Sequence, residues 1–294
     1  MDEQRGDNGL QMLAELGLPE GMLAERITSG WGGTTVWRLE REDQIEALRI
    51  FPEDAGEPKD REVAALQAAL AGGIPVPEML PVKQYRNRPT ILTTWCSGRN
   101  LAESIAAAPW RVRQIGVEMG RVQARLHQVP APPPVRRRTP DWIAWAGDGE
   151  RDLQDALRSL PIQADALLHL DYHPQNILME DGTVTGVIDW ENVRAGDPRS
   201  DVARTASILW LARQSPETPR WARPILQLLE SGWRKGYQQE AGPLTEMPLF
   251  HAWACAAMIT DLAPKVANPD NWLGPNDLAK LRNRLTKLKR LAGL

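Results

Sequence analysis

The sequence predicts an α+β chain of two unequal lobes: a small antiparallel-sheet lobe over residues 1–97 and a mostly helical lobe over residues 98–294. Three observations carry this expectation. Before Ser97-Gly98, strand-like runs surround one helix pattern. After it, apolar residues recur at spacings of three and four, the helical period. Within the helical part, two short apolar runs and the turn Asp181-Gly182 mark a compact hairpin.

In chain order, residues 10–24 read as a short helix. Residues 34–39 and 45–50 read as a strand pair, rich in β-branched and apolar residues and joined by a charged turn. Residues 58–70 follow as a helix with Val63, Leu66 and Leu70 on one face and Gly72-Gly73 as its stop. Strands are expected around 78–85 and 89–95, and Ser97-Gly98 reads as a hinge. Ile115, Met119, Val122 and Leu126 then form the buried stripe of a long helix that ends at the proline-rich stretch 130–134. Residues 166–168 and 177–179 read as short buried strands, and Val184, Val187 and Ile188 continue the hairpin. Helices are expected over 198–213, 220–237 and 248–262, the last of them apolar on most faces and therefore buried.

Composition bounds the function. The chain has 294 residues, 42% of them hydrophobic, which suits a substantial core. No run of eighteen apolar residues occurs, and Met1-Asp2-Glu3 has neither the basic nor the apolar part of a signal peptide, so a cytoplasmic protein without membrane attachment is expected. Cys96, Cys255 and four scattered histidines supply no metal-ligand spacing and no disulfide framework. Net charge is −3. The last helix sets Lys280, Arg282, Arg284, Lys287, Lys289 and Arg290 around Leu278, Leu281, Leu285, Leu288 and Leu291, the pattern of a solvated amphipathic helix. No nucleic-acid module accompanies these basic residues, and no nucleic-acid partner is expected. A monomer or homodimer is.

The most informative stretch is His169-Leu170-Asp171-Tyr172-His173-Pro174-Gln175-Asn176, followed by Ile188-Asp189-Trp190-Glu191. Asp171 can take a hydroxyl proton, Asn176 stands five residues on, and the hairpin returns Asp189 beside them. This set serves in-line phosphoryl transfer from a magnesium-bound nucleotide. Ser29-Gly30-Trp31-Gly32-Gly33-Thr34-Thr35 lies before the first strong strand; its glycines permit close backbone approach to phosphates, and Thr34 or Thr35 can add a hydroxyl.

These motifs, with Asp197-Pro198-Arg199-Ser200-Asp201, resemble those of the aminoglycoside phosphotransferase family, a small-molecule branch of the protein-kinase-like fold. The resemblance runs from about Gly30 to the helices after Asp201. It implies ATP or GTP and Mg2+ as cofactors, Asp171 as catalytic base, and Asn176 and Asp189 as magnesium ligands. It further implies a structural His169, an Asp201 that braces the loop, and Gly30, Gly32, Gly33, Thr34 and Thr35 over the phosphates. In the linker, the backbone of Thr93-Thr94-Trp95-Cys96 is implied to hydrogen-bond the base. Leu170 and Gln175 stand where many relatives have glycine. Kinases grip the phosphates with a strand lysine held by a helix glutamate; here that strand position is Arg49, and Glu62 is its candidate partner.

The implied activity moves the γ-phosphoryl group to the hydroxyl of a small molecule. An antibiotic of aminoglycoside or macrolide type is expected, which would confer antibiotic resistance; a metabolite such as homoserine, choline or a thiosugar, and a nucleotide-binding pseudokinase, are the alternatives. The short path from Asp189 to Pro198 leaves no long activation segment, which disfavours a protein acceptor. Of the tryptophans, Trp142, Trp145 and Trp190 are best placed to line an acceptor pocket, or else to pack the core.

Overall fold

The computed structural model describes residues 11–19, 21–27, 34–42, 44–139, 141–264 and 275–294. Five strands build one antiparallel sheet in the order β1-β2-β3-β5-β4: β1 Leu23–Ile27, β2 Thr35–Arg41, β3 Gln44–Ile50, β4 Met79–Leu80 and β5 Thr90–Thr94. Side chains alternate across a strand. Leu39, Leu48, Ile50 and Leu92 therefore point to one face, where they pack with Met12, Leu13 and Leu16. Val36, Ala47, Arg49, Ile91 and Thr93 point to the other and line a cleft. The register sets Val36 opposite Arg49 and Arg49 opposite Ile91, so this row crosses three strands.

Two expectations for this lobe are corrected. The helix expected over 10–24 covers only residues 11–16 among those described; it stops at Gly17, where φ is +70°, and Leu23–Ile27 joins the sheet instead. The strand expected over 78–85 contracts to Met79–Leu80, because Pro81 brings no N–H to a ladder.

Helix α1, Gly56–Ala71, buries Glu62, Ala65, Leu66 and Ala69, an i, i+3, i+4, i+7 face. Leu70, expected on that face, is 42% exposed. The buried face begins with a charged residue, which an apolar count does not find.

The rest of the chain is α2 Leu101–Ala107, α3 Val112–Leu126, α4 Pro133–Arg136, α5 Arg151–Ser159, α6 Pro198–Gln214, α7 Ala222–Ala241, α8 Met247–Leu262 and α9 Pro275–Leu291. Ile115, Met119, Val122 and Leu126 are all buried on α3, as their spacing predicts. The α3 and α7 backbones meet at glycine: a Cβ on Gly120 would lie 2.0 Å from the Trp233 carbonyl oxygen, so no side chain fits there. Phe250, Trp253 and Cys255 make α8 a buried helix, as its sequence predicts.

Two small sheets frame the segment between the lobes. Strand β7, Ala166–Leu168, pairs with β10, Arg194–Gly196. Strands β6 Arg99–Asn100, β8 Ile177–Glu180 and β9 Thr183–Val187 form the other, in the order β6-β8-β9. Asp181 and Gly182 both take positive φ, +50° and +90°, as a two-residue hairpin turn of the primed type requires. The loop 169–176 thus runs from one small sheet to the other, and both its ends are fixed. No helix among the described residues is long and apolar enough to cross a membrane.

Candidate active site

Pro198 occupies the first turn of α6, and the Asp197 carboxylate accepts the Arg199 N–H at 2.9 Å as its cap. This start fixes the helix phase, so Asp201 in the first turn faces the loop. Its Oδ2 accepts from His127 Nε2 at 2.9 Å and from the His169 N–H at 3.1 Å; its Oδ1 accepts from the Leu170 N–H at 2.8 Å. Burial works to raise the Asp201 carboxyl, but the hydrogen bonds from His127 and from the His169 N–H hold it below the usual range. Tyr237 in turn donates its hydroxyl to His127 Nδ1 at 2.8 Å.

Leu170 is held with φ +60°, in the left-handed region, and is fully buried. The loop keeps the turn that glycine makes easily, and the Leu170 side chain packs in the core of the helical lobe. Its carbonyl accepts from Arg204 Nε at 3.2 Å. His169 spans the loop: its Nδ1 accepts the Asp171 N–H at 3.2 Å, so the ring proton sits on Nε2 and is donated to the Ile188 carbonyl at 2.9 Å. Burial keeps this imidazole neutral by lowering its pKa. The ring thereby ties the segment carrying Asp171 to the segment carrying Asp189.

Asn176 Nδ2 donates to the Asp171 carbonyl at 3.0 Å and to Asp171 Oδ2 at 3.2 Å. With its nitrogen so used, the Asn176 amide oxygen is turned away from Asp171. The Ile188 N–H donates to the Asn176 carbonyl at 2.9 Å, which holds the two strands in step. The Gln175 N–H lies 3.3 Å from His173 Nδ1, and His173 Nε2 lies 3.2 Å from Asn176 Nδ2 and 3.6 Å from Asp171 Oδ2. Burial would raise the Asp171 carboxyl; the hydrogen bond and charge of His173, with the charge of Arg204, bring it down to about 2. Asp189, like Leu170, has positive φ, +66°.

The cleft beside the sheet has a volume of about 390 Å³. Of the residues named from sequence, Thr34, Arg49, Glu62, Thr94, Cys96, Asn176 and Asp189 line it, and Asp171 adjoins it through Asn176. Arg49 reaches Glu62 in an ion pair and lies 5.1 Å from the Phe51 ring. Glu62 is buried, not the exposed helix residue it could have been. Burial pushes its carboxyl up; Arg49 opposes that shift, and the charges of Asp189 and Glu191 add to it.

Thr35 does not line the cleft but pairs across the sheet with Ile50. Gly30, Gly32 and Gly33 lie outside the described residues. In the linker, the Thr94 N–H is already donated to the Glu78 carbonyl at 2.9 Å and the Trp95 N–H to the Ile45 carbonyl at 3.1 Å, so neither serves a base. Burial raises the Cys96 thiol to about 11, which makes it a packing residue and not a nucleophile. Sequence reasoning missed the apolar walls Val36, Ala47, Leu178 and Ile188; strand alternation outward from Arg49 would have found the first two.

The structure decides between the two readings of the tryptophans. Trp142 packs on Phe250 and Trp253 in the core. Trp190 is 1% exposed, lies tilted against the His169 ring at 4.8 Å between ring centres, and lines the nucleotide cleft. Trp145 carries two arginines: the guanidinium carbons of Arg194 and Arg204 lie 4.0 and 4.6 Å from its ring centre. Trp142 and Trp190 are thus buried core residues.

The donors suit magnesium. A hard cation takes oxygen ligands and shares them with substrate phosphates, so one carboxylate and one amide oxygen suffice on the protein side. Asp189 and the outward-turned oxygen of Asn176 supply them on the same cleft wall.

A family model described as the phosphotransferase enzyme family, APH, matches residues 24–238. No curated protein matches the chain. Among solved structures, a candidate aminoglycoside phosphotransferase from Ralstonia eutropha JMP134 superposes with a TM-score of 0.67 at 19% identity, over 97% of each chain. A thermostable mutant of aminoglycoside phosphotransferase APH(4)-Ia, in ternary complex with AMP-PNP and hygromycin B, gives 0.66 at 16% identity, over 97% of this chain and 98% of that one. A microcompartment-associated aminopropanol kinase gives 0.60 at 16% identity, over 98% and 96%. At these identities the likeness establishes the two-lobed, protein-kinase-like fold.

Proposed function

The chain belongs to the APH phosphotransferase enzyme family, and from that membership we propose that it transfers the γ-phosphoryl group of ATP or GTP to the hydroxyl of a small molecule. Residues 1–97 act as the nucleotide lobe, and residues 98–294 carry the catalytic loop and the acceptor side. One observation carries this reading: the Asp171 carboxylate is hydrogen-bonded to Asn176, which shares the cleft wall with Asp189.

Asp171 stays ionised across the neutral range and orients the acceptor hydroxyl towards the phosphorus. As the new P–O bond forms and the bond to the β-phosphate oxygen breaks, the hydroxyl proton passes to Asp171 and the nucleoside diphosphate leaves. Asn176 and Asp189 would hold magnesium, which supplies neutralisation of the charge on the transferring group. Arg49, braced by Glu62, is the phosphate grip; its fork can hold two oxygens where a lysine offers a point charge. Because the loop is fixed before substrate arrives, most of the rate gain comes from positioning and electrostatics.

The neighbours that share the fold include one bound to hygromycin B and one that is an aminopropanol kinase, so antibiotic and metabolite acceptors both fit it. The reading is tested by incubating the protein with ATP or GTP, magnesium and a panel of aminoglycosides, macrolides and hydroxylated metabolites, with mass spectrometry of the products. Asp171→Ala should lower turnover by about 10²–10⁴-fold, the usual worth of a general base, and leave nucleotide affinity within about twofold. Unchanged turnover in that variant would overturn the assignment.

A further inference from the structure

Three arginines gather beside the catalytic loop, outside the nucleotide cleft. Arg204 binds the carbonyl of Leu170, the residue before Asp171, and its charge bears on the Asp171 carboxyl. Arg194 lies against the same Trp145 ring as Arg204. Arg138 donates through Nη1 to the Glu191 carbonyl at 2.7 Å and the Val193 carbonyl at 2.8 Å, which holds the strand that carries Arg194. The carboxylate seated among them is Asp261, which pairs with Arg204 and accepts from Trp145 Nε1 at 2.7 Å.

Arg194 and Arg204 are each 5% exposed, and each keeps a buried donor that meets no partner: Nε of Arg194 and Nη1 of Arg204. Buried donors on charged groups are normally satisfied, and an exception calls for a reason. Burial, and next the charge of Arg138, bring Arg194 down to about 9. A polycationic acceptor would meet repulsion here. An acceptor with a negative group would be attracted by the cations in excess over Asp261.

We propose that the acceptor is an alcohol carrying an oxyanion, and that Arg194 and Arg204, on the Trp145 platform, bind that oxyanion while its hydroxyl lies at Asp171. This rests on the kinase reading of the same loop and names its substrate class: hydroxy acids or phosphorylated alcohols, and not aminoglycosides. Arg194 and Arg204 are then specificity-determining residues.

The experiment uses the full chain saturated with magnesium and AMP-PNP and titrates three alcohols of one skeleton: glycerol, glycerate and glycerol 3-phosphate, with hygromycin B as the cation. Binding is read by thermal shift and calorimetry, and separately transfer from ATP is read by mass spectrometry. Glycerate or glycerol 3-phosphate should bind at least about tenfold more tightly than glycerol, and the better of the two tells carboxylate from phosphate. Arg194→Gln should lose that preference with nucleotide affinity unchanged. Arg194→Lys, which keeps the charge and guards against a folding defect, should retain part of it. Equal response to charged and neutral alcohols, tighter binding of hygromycin B, or a preference that survives in Arg194→Gln overturns the proposal. Failure of AMP-PNP to bind would instead count against the kinase reading.

Discussion

Behind the catalytic loop, the Asp201 carboxylate accepts three hydrogen bonds, from His127, His169 and Leu170, and is held below the usual carboxylate range. At the sheet end of the cleft, Glu62 is also buried and also faces a cation, Arg49, yet burial and the charges of Asp189 and Glu191 push it up. The difference lies in how fully the protein compensates each charge. Around Asp201 the donors come from the fold itself, so the charge is structural and keeps the loop in one conformation. Around Glu62 the charges of Asp189 and Glu191 act against the pull of Arg49, so the cost of burial is not offset there.

The largest effect that would sharpen this contrast is Asp201→Ala. It leaves the three donors buried without an acceptor, and unfolding in urea should show a loss of about 3–5 kcal/mol, the range for breaking a buried pair. A loss below about 1 kcal/mol would break the comparison, since Asp201 would then not organise the loop.

Leu170→Gly comes next. Glycine removes a left-handed strain of about 1–2 kcal/mol, but the change also removes a buried leucine worth about 2–5 kcal/mol. A net destabilisation of about 1–3 kcal/mol is expected from the same measurement. A gain in stability would mean that the turn, and not the packing, dominates at this position.

Arg49→Lys probes the other end. The charge survives and the fork does not, so the KM for nucleotide should rise about threefold to tenfold while kcat changes less. Stability should move by under about 1 kcal/mol, the scale of a part-exposed pair.

The smallest effect is one of pH. The Glu62 pKa is raised in the fold, so its contribution to stability is complete below about 4.5 and is lost as pH rises through the folded value. The Asp201 pKa is lowered, so its contribution is complete above about 3.8 and is lost only as pH falls further. The melting temperature of the unliganded wild type relative to Glu62→Gln should therefore rise as pH is lowered from 7 to about 4.5. Relative to Asp201→Asn it should stay level over the same span. Parallel curves for the two variants would show that the two carboxylates are compensated alike.

Much of this was legible in the sequence. The hairpin around Asp181-Gly182 follows from local turn chemistry, and the α3 stripe from helical spacing; both depend on neighbours along the chain. Glu62 was legible only as a candidate, because a glutamate in a helix pattern gives no sign of whether its face is buried. The arginines were hidden more deeply. Arg138, Arg194 and Arg204 are far apart in sequence and on different elements, and nothing in their spacing announces a cluster. The tryptophans were ambiguous for the same reason: a large ring packs a core or lines a pocket according to what the fold sets beside it.

The sequence by itself determined the reaction class, since the loop from His169 to Asn176 and the return of Asp189 are short-range features whose geometry is set by turns and strand pairing. It determined the two-lobed fold as well, through periodicity. The tertiary structure decided which charges are compensated. Glu62 meets Arg49 across two elements, Asp201 collects donors from the cap of α3 and the loop, and Arg194 and Arg204 converge on Trp145 from a strand and a helix. Burial and charge proximity depend on distances in space between residues remote in the chain, and those distances exist only once the lobes have packed.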